Sequence, residues 1–94
     1  MEAKILQKED LTGIKFTAEN IITDQNIKKS LMADLLRAQS LGNLEKTKVK
    51  ITFLLEDSSR GEVETTVWGV GENHLMLKGG IHIPIRAIES ISLV

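Results

Sequence analysis

The hydrophobic period of the sequence changes near residue 46, and this change limits the chain to a fold that combines one helix with several strands. Between Asp24 and Asn43 the apolar residues recur at spacings of three and four, the period of an amphipathic helix. From Lys46 onward apolar and polar residues alternate, which is typical of strands with one buried face. We therefore expect an α+β, mainly β, domain over residues 24–94, preceded by an N-terminal arm, residues 1–23.

The predicted helix covers about residues 25–41. Asp24 can accept hydrogen bonds from the first free backbone N–H groups as an N-cap, and Gly42-Asn43 follows as a left-handed stop. The apolar face of this helix is expected to consist of Ile27, Leu31, Leu35 and Ala38, widened by Met32 and Leu36. In the arm, the partial alternation in "GIKFTAENIIT" predicts a short strand or an extended segment packed on the domain.

Five strands are predicted after the helix, at about residues 47–55, 62–70, 74–78, 81–85 and 88–94. In the first of them Val49, Ile51, Phe53 and Leu55 take one face, and the lysines and Thr52 take the other. Five short strands joined by tight turns favour a small, closed or nearly closed antiparallel barrel. Closure would also remove the exposed strand edges that promote aggregation.

The loop between the third and fourth strands is determined by which side chains must face the core. A three-residue loop, residues 78–80, puts Leu75, Leu77, Ile81, Ile83 and Ile85 on one face and Met76, His82 and Pro84 on the other. A two-residue loop would mix core and polar positions on both faces, because a shift of one residue exchanges the faces of a strand. Gly80 suits the left-handed position that ends such a loop.

The end of this hairpin also carries a signal. Pro84 has no N–H to donate to a neighbouring strand, which predicts that its strand lies at a sheet edge or ends in a bend. The following "PIRAI" suits a single helical turn that leads into the last strand.

These features resemble the Sm-like small β-barrels, in which a helix precedes five strands and a Lys-Gly or Arg-Gly step is followed by spaced Ile residues. The matching positions are Leu77, Lys78, Gly79, Gly80, Ile83 and Ile85. Gly80 stands where that family has Asn or Asp, and the first Sm signature is represented at best by Glu72 and Asn73. Src-homology-type barrels share the strand count and the helical turn before the last strand. The stretch "VETTVW…LKGG…IPI" is also similar to a small group of bacterial proteins.

The Sm-like resemblance implies that neighbouring subunits pair their edge strands into a ring. It also implies that Lys78 and Gly79 occupy the positions with an RNA-backbone or ring-pore role. Because the polar pair of the signature is absent, the resemblance does not extend to base recognition.

The composition excludes several classes of function. The chain has no cysteine, so disulfides, thiolate metal sites and thiol nucleophiles are excluded. No apolar run has the length of a signal-peptide core or of a membrane span, so we expect a cytoplasmic protein without a membrane partner. The net charge of −1 argues against binding nucleic acid by bulk electrostatics, although a local basic patch is compatible with it.

No pattern in the sequence indicates catalysis, a metal site or a cofactor. The serines lie outside any nucleophile-elbow context, and the adjacent carboxylates Glu56 and Asp57 lie in a predicted turn. His74 and His82 are the only histidines, and neither has a carboxylate at ligand spacing. We therefore expect a non-catalytic protein without a resident metal.

Trp68 is the only tryptophan, and its orientation has two readings. The outward phase of Glu62 and Glu64 would expose its ring for stacking or protein contact. A bulge at Gly69 or Gly71 would instead turn the ring inward. We expect a packed ring, because a bent second strand is how small barrels close.

Together these features predict an interaction module that self-associates through its strand edges as a homo-oligomer. We also expect a second, unknown protein partner. The alternative is an RNA-binding, Sm-like protein that uses a local basic surface. The candidate contact residues are Lys48, Lys50, Trp68, Lys78, Gly79 and His82.

Overall fold

The computed structural model describes residues 3–93, which form one α-helix, two 3₁₀ segments and seven strands. The helix α1 spans Gln25–Glu45, and the 3₁₀ segments span Lys8–Gly13 and Ile85–Ala87. The strands are β1 Lys4–Leu6, β2 Val49–Leu54, β3 Arg60–Thr65, β4 Val67–Val70, β5 His74–Leu77, β6 His82–Pro84 and β7 Ile88–Leu93. Val94, the last residue of the fifth predicted strand, lies outside the described residues, as do Met1 and Glu2.

The strands form two sheets and number seven, so the closed form of the predicted barrel and its count of five strands are wrong. The first sheet has the order β1-β3-β2-β7 and the second the order β4-β5-β6. β1 pairs with β3 in parallel, and every other pairing is antiparallel. β6 and β7, whose pairing would close a barrel, are each the edge of a different sheet.

The second predicted strand is divided because the chain changes sheets at Thr66. Thr65, Thr66 and Val67 are buried consecutively, which interrupts the alternation of faces. β3 therefore ends in the first sheet and β4 begins in the second. The two Thr residues are the only polar residues among the buried side chains of the described chain.

The start of α1 is confirmed and its predicted end is wrong. The Asp24 carboxylate accepts hydrogen bonds from the N–H groups of Asn26 and Ile27, at 2.8 and 3.1 Å. The helix continues through Gly42 to Glu45, and Lys46 provides the left-handed end with φ 55°. Gly42 is buried, and a Cβ built on it would overlap the carbonyl oxygen of Val67. The glycine thus serves close helix–strand packing rather than helix termination.

The buried face of α1 is narrower than predicted. Leu31, Leu35, Ala38 and Gly42 are buried. Ile27 and Leu36, which were predicted on this face, are 56% and 52% exposed. Ile27 lies in the first turn of α1, and Leu36 lies outside the stripe formed by the buried positions.

One hydrophobic core joins both sheets and α1. The buried residues alternate along β2 at Val49, Ile51 and Phe53, as predicted. In the N-terminal arm the strand is Lys4–Leu6 rather than part of "GIKFTAENIIT". That later stretch is an extended segment on the body, where Phe16 forms a bridge to Leu55 and packs edge-on against Phe53 at 5.3 Å between ring centroids.

The three-residue loop of the β5–β6 hairpin is confirmed. Leu75 pairs with Ile83 and Met76 with His82, and the N–H of Leu77 donates to the carbonyl of Ile81 at 2.7 Å. Gly79 and Gly80 have φ values of 91° and 80°, a region that favours glycine.

Two predictions at the end of the hairpin are confirmed and one is wrong. β6 is an edge strand, and Ile85–Ala87 forms the expected helical turn. Pro84, however, is buried rather than placed on the outer face with Met76 and His82. It lies where the chain leaves the sheet to enter the 3₁₀ turn, so it no longer follows the alternation of the strand.

Candidate interaction site

Four strands lie at sheet edges, and three of these edges have an identifiable protection. α1 packs along β4, and the side-chain oxygen of Gln39 accepts a hydrogen bond from the N–H of Val70 at 3.0 Å. β6 is three residues long and carries Pro84. β1 is also three residues long and begins with Lys4. Short strands, prolines, lysines and covering helices all discourage pairing with another chain.

The fourth edge, β7, is six residues long and contains neither proline nor lysine. Its open side can be assigned from the hydrogen bonds of β2. The N–H of Leu55 donates to Ser59 in the β2–β3 hairpin, and the carbonyl of Leu54 faces away from β3 to accept from Thr17. Backbone groups alternate in direction along a strand, so Lys50 and Thr52 bond to β7 at Ser92 and Ser90.

The same alternation turns the backbone N–H and C=O groups of Ile91 and Leu93 toward the open side of β7. Among the hydrogen bonds of residues 3–93, no side chain bonds to either of these two residues. The Leu93 side chain is 63% exposed. The edge therefore combines unpaired backbone groups with an exposed aliphatic side chain.

A groove of about 170 Å³ runs beside this edge, between β7 and α1. Its apolar lining includes Ala38, Leu41 and Leu93. Asp34 and Arg37 also line it, and their side chains form an exposed ion pair at 3.8 Å. The groove therefore offers apolar surface together with one charge of each sign.

The predicted lysine row lies among carboxylates on the outer face of the first sheet. Lys50 is directly opposite Glu64 on β3. Lys48 is exposed and lines a shallow groove with Ile5, Glu62 and Glu64. The lysines consequently do not form an isolated basic patch.

An ion pair with one shared, bifurcated N–H donor lies on the same sheet. The Nε of Arg60 is 3.0 Å from both carboxylate oxygens of Glu89, across the intervening strand β2. The Glu89 carboxylate raises the pKa of Arg60 by hydrogen bonding and by its charge. In the adjacent turn, hydrogen bonds from the Ser59 hydroxyl and N–H lower the pKa of Asp57. Both arrangements hold a carboxylate in hydrogen bonds at the surface of the first sheet and its adjacent turn.

Trp68 is exposed, so the expected packed ring is wrong. The predicted bulge is present, because Val67 pairs with Leu77 whereas Gly69 pairs with Met76. Trp68 is the additional residue of this bulge, and its side chain is 45% exposed on the outer face of the second sheet. The bend that the sequence indicated is thus real, but Thr66, not Trp68, occupies the buried position where the chain turns.

The outer face of the second sheet also carries both histidines. His82 is opposite Met76, and His74 precedes Met76 by two residues on β5, so all three side chains share this face. The imidazole centroids of His74 and His82 are 6.2 Å apart, and both residues are exposed. The hairpin register that fixed the loop length also implies this contact, since it makes the two histidines diagonal neighbours.

Lys78 and Gly79 form the exposed tip of the β5–β6 hairpin. The N–H of Lys78 donates to the carbonyl of Thr66 at 3.0 Å, which ties the start of the loop to the sheet crossing. The six candidate residues therefore fall on three places: Lys48 and Lys50 on the first sheet, Trp68 and His82 on the second, and Lys78 and Gly79 at the loop tip. Because the two sheets share one core, their outer faces point in different directions.

Residues 3–93 contain neither a membrane-spanning helix nor a metal-binding group of three or more side chains. No helix there is long and apolar enough to cross a membrane. The same residues contain no group of three or more His, Asp or Glu side chains arranged to hold a metal ion. No protein-family model, curated protein or solved structure matches this chain.

Proposed function

We propose that this protein is a non-catalytic interaction module that self-associates by pairing β7 with β7 of a second copy. The observation that carries this proposal is the difference between the four edges: two are three residues long and a third has a side chain of α1 bonded to its backbone, whereas β7 is six residues long and no hydrogen bond within residues 3–93 reaches the open-side backbone groups of Ile91 and Leu93. An unprotected edge is a template for adding a strand from another chain.

A second copy suits this edge because the adjoining groove carries apolar surface and one charge of each sign. About a twofold axis, residues of one copy meet the same residues of the other in reversed order. Asp34 and Arg37 supply opposite charges, and Leu93 supplies exposed apolar area at the same edge. Antiparallel addition of β7 would extend the first sheet across both copies and pair the free N–H and C=O groups.

The test is the mass of the protein by sedimentation velocity between about 10 and 300 µM. We expect a reversible dimer of the wild type. Leu93→Lys should be monomeric over this range, because a charge at the edge opposes strand addition. Leu44→Lys is the matched control: Leu44 is 84% exposed at the end of α1, and this variant should dimerise as the wild type does. A monomeric wild type, or a dimer that is unchanged in Leu93→Lys, would refute the proposal.

RNA binding is the second candidate, and the exposure of Trp68 is the observation that favours it. An exposed indole beside Met76 and His82 offers a face on which an unpaired base can stack. The net charge of −1 and the carboxylates beside Lys48 and Lys50 weaken this reading.

A labelled single-stranded RNA at low salt tests this alternative. Binding should weaken steeply with added salt and decrease in Lys78→Ala. Retention of binding in Trp68→Ala would remove the stacking argument. No binding to the wild type at low salt would exclude the candidate.

A further inference from the structure

The two imidazoles on the outer face of the second sheet form a pair that neither the core nor the proposed dimer edge requires. His74 and His82 lie on adjacent strands, on the sheet that does not contain β7. Their side chains are exposed, and their ring centroids are 6.2 Å apart with an interplanar angle of 63°. These are the only two histidines in the chain, and the hairpin brings them together across eight positions of sequence.

The spacing of the rings fits a shared metal ion. A metal–nitrogen bond of about 2.0–2.1 Å places a ring centroid about 3.2 Å from the metal. Two rings on one ion then have centroids about 4.5 to 6.4 Å apart, as the N–metal–N angle opens from 90° to 180°. The observed 6.2 Å lies within this range. Small rotations of these exposed side chains would reach the spacing of about 6.4 Å for trans ligands of a square-planar copper(II) ion, or about 5.2 Å for a tetrahedral ion such as zinc.

We propose that His74 and His82 form a two-imidazole site for a divalent late transition-metal ion, and that copper(II) binds most tightly. Neutral imidazole suits zinc, nickel and copper, and affinity for such nitrogen ligands rises toward copper(II). No carboxylate joins the pair in a three-residue group within residues 3–93, so water completes the coordination. Met76 lies on the same face but outside the ligand set, because its thioether suits copper(I).

Trp68 provides a direct reporter for this site. It is the only tryptophan, and it lies in the bulge opposite Met76, the residue that also faces His82. Bound copper(II) is paramagnetic and quenches a nearby indole. We expect saturable quenching of Trp68 emission at one equivalent of copper(II) near pH 7.5, and calorimetry should give the same stoichiometry without relying on the indole.

Loss of one imidazole should lower the affinity for copper(II) by about tenfold or more, because the second ligand no longer binds intramolecularly. His74→Gln and His82→Gln should each show this loss. The matched control is the double variant His82→Gln with Leu44→His, which keeps two histidines but places one at the exposed end of α1, away from the second sheet and from β7. It should bind copper(II) as weakly as His82→Gln.

These outcomes distinguish binding by the His74–His82 pair from binding that depends only on the number of histidines. Wild-type affinity in the relocated double variant would overturn the proposal. So would a calorimetric isotherm of the wild type that matches the isotherm of the double variant His74→Gln with His82→Gln. Nickel(II) and zinc(II) should bind the wild type more weakly than copper(II), and the reverse order would refute the stated preference for copper.

Discussion

Replacing Gly42 by alanine tests the closest approach between α1 and the sheets. A Cβ on this residue would overlap the carbonyl oxygen of Val67 and would lie 2.9 Å from the Thr66 methyl group. The obstructing oxygen belongs to the backbone of β4, so it cannot move aside as a flexible side chain would. In an exposed helix the same substitution would stabilise the protein by about 1 kcal/mol, because alanine favours the helix over glycine.

The two contributions give the expected size of the effect. Overpacking of a well-packed core costs about 1–3 kcal/mol, and overlap with backbone places Gly42→Ala toward the upper end. After subtracting the gain in helix propensity, the free energy of unfolding should fall by about 2 kcal/mol. For a domain of this size, the melting temperature should fall by about 8–16 °C.

Urea unfolding followed by far-UV circular dichroism measures this difference. Asn43→Ala is the control. Because Asn43 is exposed in the same helical turn, this substitution should raise the free energy of unfolding by a few tenths of a kcal/mol. The reasoning fails if Gly42→Ala is as stable as the wild type or more stable, because α1 would then not contact β4 at this distance.

Three further substitutions test local features by urea unfolding or NMR. Lys46→Gly should stabilise the protein by about 0.5–1 kcal/mol, because glycine adopts the left-handed helix end without strain; a loss of stability would contradict the position of that end. Gln39→Ala removes the acceptor of the Val70 N–H and should cost about 1 kcal/mol, with faster hydrogen exchange at Val70; unchanged exchange would show that the edge is covered otherwise. Ser59→Ala should raise the pKa of Asp57 toward its ordinary value in an NMR titration. The wild type gains stability from this lowered pKa above the unfolded-state value and loses it as the pH falls through the folded-state pKa, so the two proteins should converge in acid; a constant difference would contradict this cause.

Local patterns predicted those features whose cause lies within a few residues. The start of α1 follows from Asp24, whose side chain bonds the first N–H groups. The alternation of β2 follows from the strand period, and the loop at residues 78–80 follows from the requirement that Leu75 and Ile83 share the core face. In each case one choice satisfies the local chemistry and the alternatives bury polar groups or expose apolar ones.

Other features depend on partners far along the chain. Glycine is the residue type that often ends a helix, yet Gly42 lies inside α1, where it packs closely against Val67. β1 is only three residues long, and its pairing with β3 joins segments more than fifty residues apart. A local sequence pattern does not predict such pairings, because the hydrogen bonds and contacts that stabilise them are made with a segment far away in the sequence.

The sequence by itself determined the components of this protein: an amphipathic helix, strands with alternating apolar and polar residues, and a hairpin. In that hairpin the core-facing side chains are compatible with only one loop length. The tertiary structure decided how these components are joined: the crossing at Thr66 divides one predicted strand between two sheets, and the barrel is open because β6 and β7 are edges of different sheets. The bulge in β4 exposes Trp68, and the absence of pairing between β6 and β7 leaves β7 as an edge, so the two candidate surfaces lie on different sheets. The physical reason is that side-chain period specifies which face of a strand is buried, whereas edge pairing is settled only when all strands compete for the same hydrogen bonds.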